Sequence, residues 1–352
     1  MSSEQPEPLN FQQRLMVILL TVLGRLIEFF LTRTTYQGLN KIPKDGPLLI
    51  VSNHASTYDA MLMRMNMPRT AYFVGPGDFK LGMGGTWLLR NSGVIFTKRG
   101  SVDRQSLKQM EAVLNSGEML AIFPEGGTWE KRIQDVKAGA AYLSATTNAS
   151  LLPVAFGGTY RVWYDILRFK RPKITVRVGD VLPPVELSGD RKTRQDELQQ
   201  ASIDLMWKIY AMLPEADQKR YDEMELQRFN GAIEVEDGAR YDDYNELAEL
   251  LLKPNLLAPL KMNSTEHNTP FISKLGEFVP AHDMLDTVQA FQALLAGDFK
   301  GYLEYRLGDE KSQAVYRQLE TLNELAQNTN ARLRLVAEMY LVDDTQPHVV
   351  SV

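Results

Sequence analysis

Cysteine is absent from this 352-residue chain. That excludes disulfides, thiolate nucleophiles and cysteine-held metals, and it fits a reducing compartment. Histidine is scarce: of His54, His267, His282 and His348, His54 alone lies in the first 260 residues. No internal repeat, low-complexity tract or phosphate-binding G-x-x-x-x-G-K-[ST] fingerprint occurs. Uninterrupted apolar runs of the roughly 18 residues that a membrane span needs are also missing. The nearest candidate, Phe11–Thr32, is broken by Arg14, Arg25 and Glu28. Its apolar run ends without a small-residue cleavage site, so it does not read as a signal peptide.

What is present is ordinary globular composition, 24% charged and 44% hydrophobic, in a chain long enough for a real core and for two domains. The net charge of -5 hides an asymmetry. Residues 1–180 carry 22 Lys+Arg against 14 Asp+Glu, which leaves 17 (39−22) against 30 (44−14) for residues 181–352. A basic half suits phosphates, anionic substrates or an anionic membrane surface, and an acidic half faces a different partner. Nothing in the pattern points to nucleic acid.

The segment Phe11–Thr32 reads as a helix. Arg14, Thr21, Arg25, Glu28 and Thr32 step by 7, 4, 3 and 4, so they form one narrow polar stripe on a largely apolar surface. Two readings stay open: a helix lying in the membrane interface, or a helix packed on the following domain as core. A short strand at 36–43 and a turn at 44–46 lead into Pro47-Leu48-Leu49-Ile50-Val51, a buried strand too short for a helix. A helix over 58–67, a strand over 70–74, a helix over 80–91, a strand over 93–96 and an amphipathic helix over 101–117 follow. A buried strand over 119–123, a helix over 138–147 and strands over 151–156 and 173–178 complete an α/β rhythm. Beyond Asp190 the texture becomes helical: 191–213, 215–229, 241–252, 282–296, 297–306, 311–327 and 331–341, with 231–239 as a hinge. The expected architecture is therefore an N-terminal apolar helix (1–35), an α/β sheet flanked by helices (36–230) and an acidic, all-α C-terminal extension (231–352). The role of that extension stays open between partner binding, dimerisation and a lid.

The strand over 47–51 delivers His54 to its carboxyl end, where open α/β sheets keep their chemistry. Asp59 follows at the head of a helix, placed to hold one imidazole nitrogen and leave the other as a base. One histidine and one aspartate make a poor metal ligand set, so no metal site is expected. Ser56 reads as a helix cap.

Four blocks stand at strand ends in order: Asn53-His54…Asp59, Gly93-Val94-Ile95-Phe96-Thr97-Lys98-Arg99, Phe123-Pro124-Glu125-Gly126-Gly127-Thr128 and Leu152-Pro153-Val154. Together they resemble the glycerophospholipid acyltransferases, the lysophosphatidic-acid acyltransferase type, marked by N-H-x4-D, G-x-x-F-x-x-R, F-P-E-G-T-R and a late apolar V/I-P-V/I. The resemblance covers roughly residues 36–185. It implies that His54 deprotonates an acceptor hydroxyl and that Asp59 orients it, with no acyl-enzyme. It implies an acceptor site of Arg99, Lys98, Glu125, Gly126, Gly127 and Thr128, with Gly93, Phe96, Pro124 and Pro153 supporting the acyl site. Alone, Glu125 could equally cap its turn.

The resemblance also implies an acyl-CoA or acyl carrier protein donor, no further cofactor, and a lysophospholipid acceptor, foremost 1-acylglycerol 3-phosphate. The chain departs from the pattern where the last arginine of F-P-E-G-T-R should stand: Thr128 or Trp129 occupies that place, and Lys131 or Arg132 would have to reach back. Glycerol 3-phosphate, a non-phosphate lipid, or a catalytically idle membrane scaffold therefore remain alternatives. A second membrane contact is expected over 161–177, where Arg161, Arg168, Lys170, Arg171 and Lys173 alternate with Trp163, Tyr164 and Phe169; a solvated basic loop is the other reading. Peripheral or monotopic attachment on the cytoplasmic side is the expected location.

Overall fold

The computed structural model describes residues 11–69, 71–76, 93–97, 103–128, 132–253, 275–297, 299–343 and 346–350. The chain divides into two compact units, the first running to Met224 and the second beginning at Glu225.

The first unit opens with α1 (Phe11–Leu31), β1 (Arg33–Gln37), β2 (Leu48–Ser52), α2 (Thr57–Asn66), β3 (Ala71–Pro76) and β4 (Val94–Thr97). It continues with α3 (Arg104–Asn115), β5 (Met119–Ile122), α4 (Gly139–Thr147), β6 (Ser150–Gly157), α5 (Val162–Leu167), β7 (Lys173–Val178), α6 (Arg191–Met212) and α7 (Glu215–Leu226). Its seven strands form one sheet in the order β1-β7-β6-β2-β5-β3-β4. Every neighbouring pair is parallel except β6 and β7.

β2 occupies the middle, and all five of its residues are buried. Leu48 and Ile50 join one core with Leu62, Met63 and Leu152, while Leu49 and Val51 join another with Val113, Leu114 and Ile209. A strand covered by helices on both faces has no polar face to show, which is why 47–51 reads as a continuous apolar run. The helix expected over 80–91 lies outside the described residues.

α1 is amphipathic in an inverted sense. From Arg25 onward its polar stripe turns toward the rest of the unit: Arg25 Nε donates to the Met65 carbonyl at 2.8 Å, and Glu28 is buried. The Glu28 carboxylate accepts from Tyr36 Oη at 2.6 Å and from Asn66 Nδ2 at 2.8 Å. Burial, then the Glu28 carboxylate, push the Tyr36 phenol well above its ordinary range. Gly24 lets α1 approach α2, since a Cβ there would stand 2.0 Å from Met65 Sδ. The opposite arc leaves Ile18, Leu19, Val22, Leu23, Leu26, Phe29 and Phe30 exposed, Phe29 at 71%. No helix among the described residues is long and apolar enough to cross a membrane.

The second unit contains β8 (Gln227–Val235), β9 (Arg240–Tyr241), α8 (Asn245–Leu252), β10 (Val279–Pro280), α9 (Ala281–Ala296), α10 (Tyr302–Leu307), α11 (Asp309–Asn328), β11 (Arg332–Asp343) and β12 (Gln346–Val350). Four of the five helices expected here are present, and the extension is not all-α. β10, β11, β8 and β9 form an antiparallel sheet, and β12 joins β11. The segment read as a hinge over 231–239 supplies most of β8, and the helix read over 331–341 is β11. Arg, Leu, Ala, Glu and Met in that segment are good helix formers, so intrinsic preference pointed the wrong way. Pairing decided instead: Leu333 and Leu335 alternate into the core opposite Val235 and Ile233.

Ile50→Ala tests the central position of β2. Removing a fully buried side chain from a helix-covered strand should lower the unfolding free energy by about 2–5 kcal/mol in urea denaturation. A loss under about 1 kcal/mol would contradict the packing described here.

Candidate active site

The site begins where β2 ends. Asn53 is buried, and its side-chain amide binds β6 twice: Nδ2 donates to the Phe156 carbonyl at 2.9 Å, and Oδ1 accepts the Phe156 N–H at 2.8 Å. A side chain thus stands in for the backbone partner that Phe156 would otherwise need, and the main chain is free to turn outward at His54. The His54 N–H then donates to Glu125 Oε1 at 3.3 Å, across to the end of β5.

Ser56 caps α2 as expected. Its Oγ accepts from the Tyr58 N–H at 3.2 Å, and its own N–H donates to Asp59 Oδ2 at 2.8 Å, closing a capping box. Asp59 is fully buried in the first turn of α2, where the helix dipole favours a carboxylate. The same Oδ2 faces His54 Nδ1 at 3.1 Å. With Asp59 ionised, Nδ1 carries the proton and donates, leaving Nε2 with its lone pair. Asp59 Oδ1 is buried with no hydrogen-bond partner. The His54 ring lies flat on Phe123, centroids 3.9 Å apart and planes 15° off parallel, which fixes its tilt.

Glu125 sits in the turn after β5 and is buried. Besides the His54 N–H, its Oε1 accepts the Tyr221 hydroxyl at 2.5 Å from α7. Burial pushes the Glu125 carboxyl above its ordinary value, opposed by the Tyr221 hydrogen bond and the charges of His54 and Arg220. The turn is held at Gly126, whose φ of 71° suits glycine and whose N–H donates to the Phe123 carbonyl at 2.9 Å. Pro124 is buried and its carbonyl accepts the Lys137 N–H at 2.9 Å. Gly127 and Thr128 follow, half-buried.

Pro153 lies inside β6 opposite Val51, its carbonyl accepting the Gly179 N–H at 2.9 Å. Gly93 takes a positive φ of 72° before β4, and Phe96 lies half-buried in β4 opposite Gly75. Lys98, Arg99, Trp129 and Lys131 lie outside the described residues. Arg132 binds Asp135 through Nε and Nη2 at 2.9 and 3.0 Å. Trp163 Nε1 donates to Thr57 Oγ1 at 2.9 Å, anchoring α5 beside the cap of α2.

The strand ends therefore bring together His54, Asp59, Phe123, Glu125 and the glycine turn. The matching family model is that of the acyltransferases, over residues 33–157. The lyso-ornithine lipid O-acyltransferase of Pseudomonas aeruginosa is 36% identical over 83 residues, 23% of this chain and 31% of that protein. The match thus spans about a third of that relative's length. Among solved structures, the 1-acyl-sn-glycerophosphate (LPA) acyltransferase of Thermotoga maritima is similar at 18% identity and a TM-score of 0.42, over 60% of this chain and 85% of that one.

The matched segment contains His54, Asp59 and Glu125, whereas Tyr221 and Arg220 lie beyond its end. Sequence reasoning missed both, along with the stacking role of Phe123. No local motif marks Tyr221, which stands 96 positions after the glutamate it touches.

The raised carboxyl value at Glu125 carries a sign for stability. A carboxyl that binds its proton more tightly in the folded state contributes stability at low pH and loses it as pH rises past the ordinary carboxylate value, about 4.3, toward the folded value. Glu125→Gln has no such proton to lose. Thermal unfolding at several pH values should show the variant gaining on the wild type between pH 4 and pH 8. Parallel curves would contradict the raised value.

Proposed function

We propose that this protein transfers a fatty acyl group from an acyl thioester to the hydroxyl of a lysolipid, with His54 as general base. The observation that carries the proposal is the His54–Asp59 pair at the end of β2 in an acyltransferase-family domain. The acceptor hydroxyl gives its proton to His54 Nε2 as its oxygen attacks the thioester carbonyl. The tetrahedral intermediate then collapses, the C–S bond breaks, and His54 returns the proton to the departing thiolate. Asp59 holds the ring and stabilises the imidazolium between the two transfers. No acyl-enzyme is needed. A positioned base of this kind typically contributes about 10²–10⁴-fold.

Acyl-CoA or acyl carrier protein is the proposed donor. On the motif resemblance the first acceptor to test is 1-acylglycerol 3-phosphate, with Arg99, Lys98, Glu125, Gly126, Gly127 and Thr128 as its proposed contacts. A second acceptor class is favoured by a specific observation: the Pseudomonas relative is named for a lyso-ornithine lipid, which carries no phosphate. The departure from F-P-E-G-T-R after Gly127 fits that class as well.

The exposed apolar arc of α1 supports attachment to one leaflet, as a helix lying in the interface. The segment after β6 extends that surface. Leu167 and Phe169 are exposed, Arg168 lies 3.3 Å from the Tyr164 ring centroid, and Arg171 Nη2 donates to the Phe29 carbonyl at 3.0 Å. Cations and rings beside an apolar arc suit an anionic headgroup layer.

Two measurements test this reading. Mass spectrometry of acyl transfer to a panel containing lysophosphatidic acid, other lysophospholipids, glycerol 3-phosphate and lyso-ornithine lipid should give product with the wild type and at least 100-fold less with His54→Ala. Silence on every acceptor, with vesicle binding intact, would favour an idle membrane scaffold. Separately, Leu19→Glu with Phe30→Glu should abolish cosedimentation with anionic vesicles while leaving the circular dichroism spectrum unchanged; retained binding would remove α1 from the membrane contact.

A further inference from the structure

α7 lies outside the acyltransferase-family segment, yet one face of it touches two of the strand ends that carry the site. Asp217 and Tyr221 stand four residues apart, one above the other on the helix. Asp217 Oδ2 accepts the Gly158 N–H at 2.9 Å, at the end of β6. Tyr221 gives its hydroxyl to Glu125 Oε1 at 2.5 Å, at the end of β5, and that same oxygen accepts the His54 N–H at the end of β2. Between them, Arg220 lies over the Tyr160 ring at 4.5 Å. Tyr221 is itself almost fully buried, so its hydroxyl has been taken out of water for this contact.

We infer that Tyr221 is a positioning residue of the site: its hydroxyl holds Glu125 so that the carboxylate turns one oxygen to the His54 backbone and keeps the other for the acceptor. The inference rests on the acyl-transfer reading above and adds to it a residue contributed by α7. Both groups bonded to Glu125 Oε1 are donors, and they stabilise the charged carboxylate more than the neutral acid. The groups that bear on its titration are Tyr221 and Arg220 from α7 and His54 from the loop after β2. Tyr221 draws the carboxyl value down against burial, and its removal should let the value climb further.

The test is Tyr221→Phe, which keeps the ring and deletes the hydroxyl, in the full chain. The Glu125 titration is read from pH-difference infrared spectra, its carboxyl band identified by loss in Glu125→Gln, and needs no turnover. In parallel, the pH profile of kcat/KM is measured on whichever acceptor the wild type uses. The expected result is an upward move of the Glu125 titration, a matching upward move of the acid limb of kcat/KM, and roughly a tenfold loss of kcat/KM on that limb. Tyr210→Phe, whose hydroxyl binds Asp222 at the surface, should change neither. A Glu125 titration left where it was overturns the inference, and so does a shifted titration with an unmoved activity profile. If the wild type acylates nothing, the acyl-transfer reading falls on its own. The infrared titration then still decides whether Tyr221 governs Glu125.

Discussion

The arrangement depends on a pair of hydrogen bonds between a side chain and a neighbouring strand. Parallel strands of four to eight residues offer little room for chemistry, because every backbone group inside a helix-covered sheet must be paired. Asn53 resolves this at the edge of the ladder. By supplying both a donor and an acceptor to Phe156, it ends the β2–β6 pairing with both Phe156 backbone groups paired. The next backbone N–H, that of His54, then turns toward β5 and Glu125 instead of β6. The helix cap at Ser56 and the placement of Asp59 in the first turn of α2 follow from the same turn of the chain. One carboxylate oxygen satisfies both the cap and the imidazole.

Electrostatics around this turn separate two carboxylates by environment. Asp59 lies at a helix N-terminus facing an imidazole. Glu125 lies in the turn after β5, where burial works against its charge and the phenol of Tyr221 and the charge of Arg220 work for it. Two acids that bond to one histidine are thereby distinguished, one directed at its ring and one at its backbone N–H.

The surface of the first unit obeys a different rule. α1 turns Arg25, Glu28 and Thr32 toward the rest of its unit and its leucines and phenylalanines away from it, the reverse of a helix designed for water. The buried Glu28 is stabilised by Tyr36 and Asn66, so the polar stripe is a structural seam. The sequence alone left two readings, lipid interface or packing as core; the described part of α1 keeps its polar contacts inward and its apolar arc exposed. The second unit had the least legible sequence. Its helices could be read from their period, but its sheet could not. β8 and β11 pair across about a hundred positions, and segments of helix-forming residues carry no local sign of such a partner.

What the sequence by itself determined is the part governed by short range. β2 is continuous in apolar residues because both faces are covered, Ser56 caps because its hydroxyl reaches its own turn, and His54 and Asp59 meet because they flank one helix start. The motif blocks bring Glu125 and the glycine turn to the same sheet edge for the same reason: each follows a strand whose character is written locally. Tertiary structure decided what depends on contacts between distant positions. Only the packing of α7 brings Tyr221 to Glu125, only the seating of α1 tells its wet face from its dry one, and only strand pairing turns residues 332–343 from a helix-like pattern into β11. Local pattern constrains a residue's neighbours within a turn or a strand, whereas these choices were settled by burial and hydrogen bonding between segments that no local period connects.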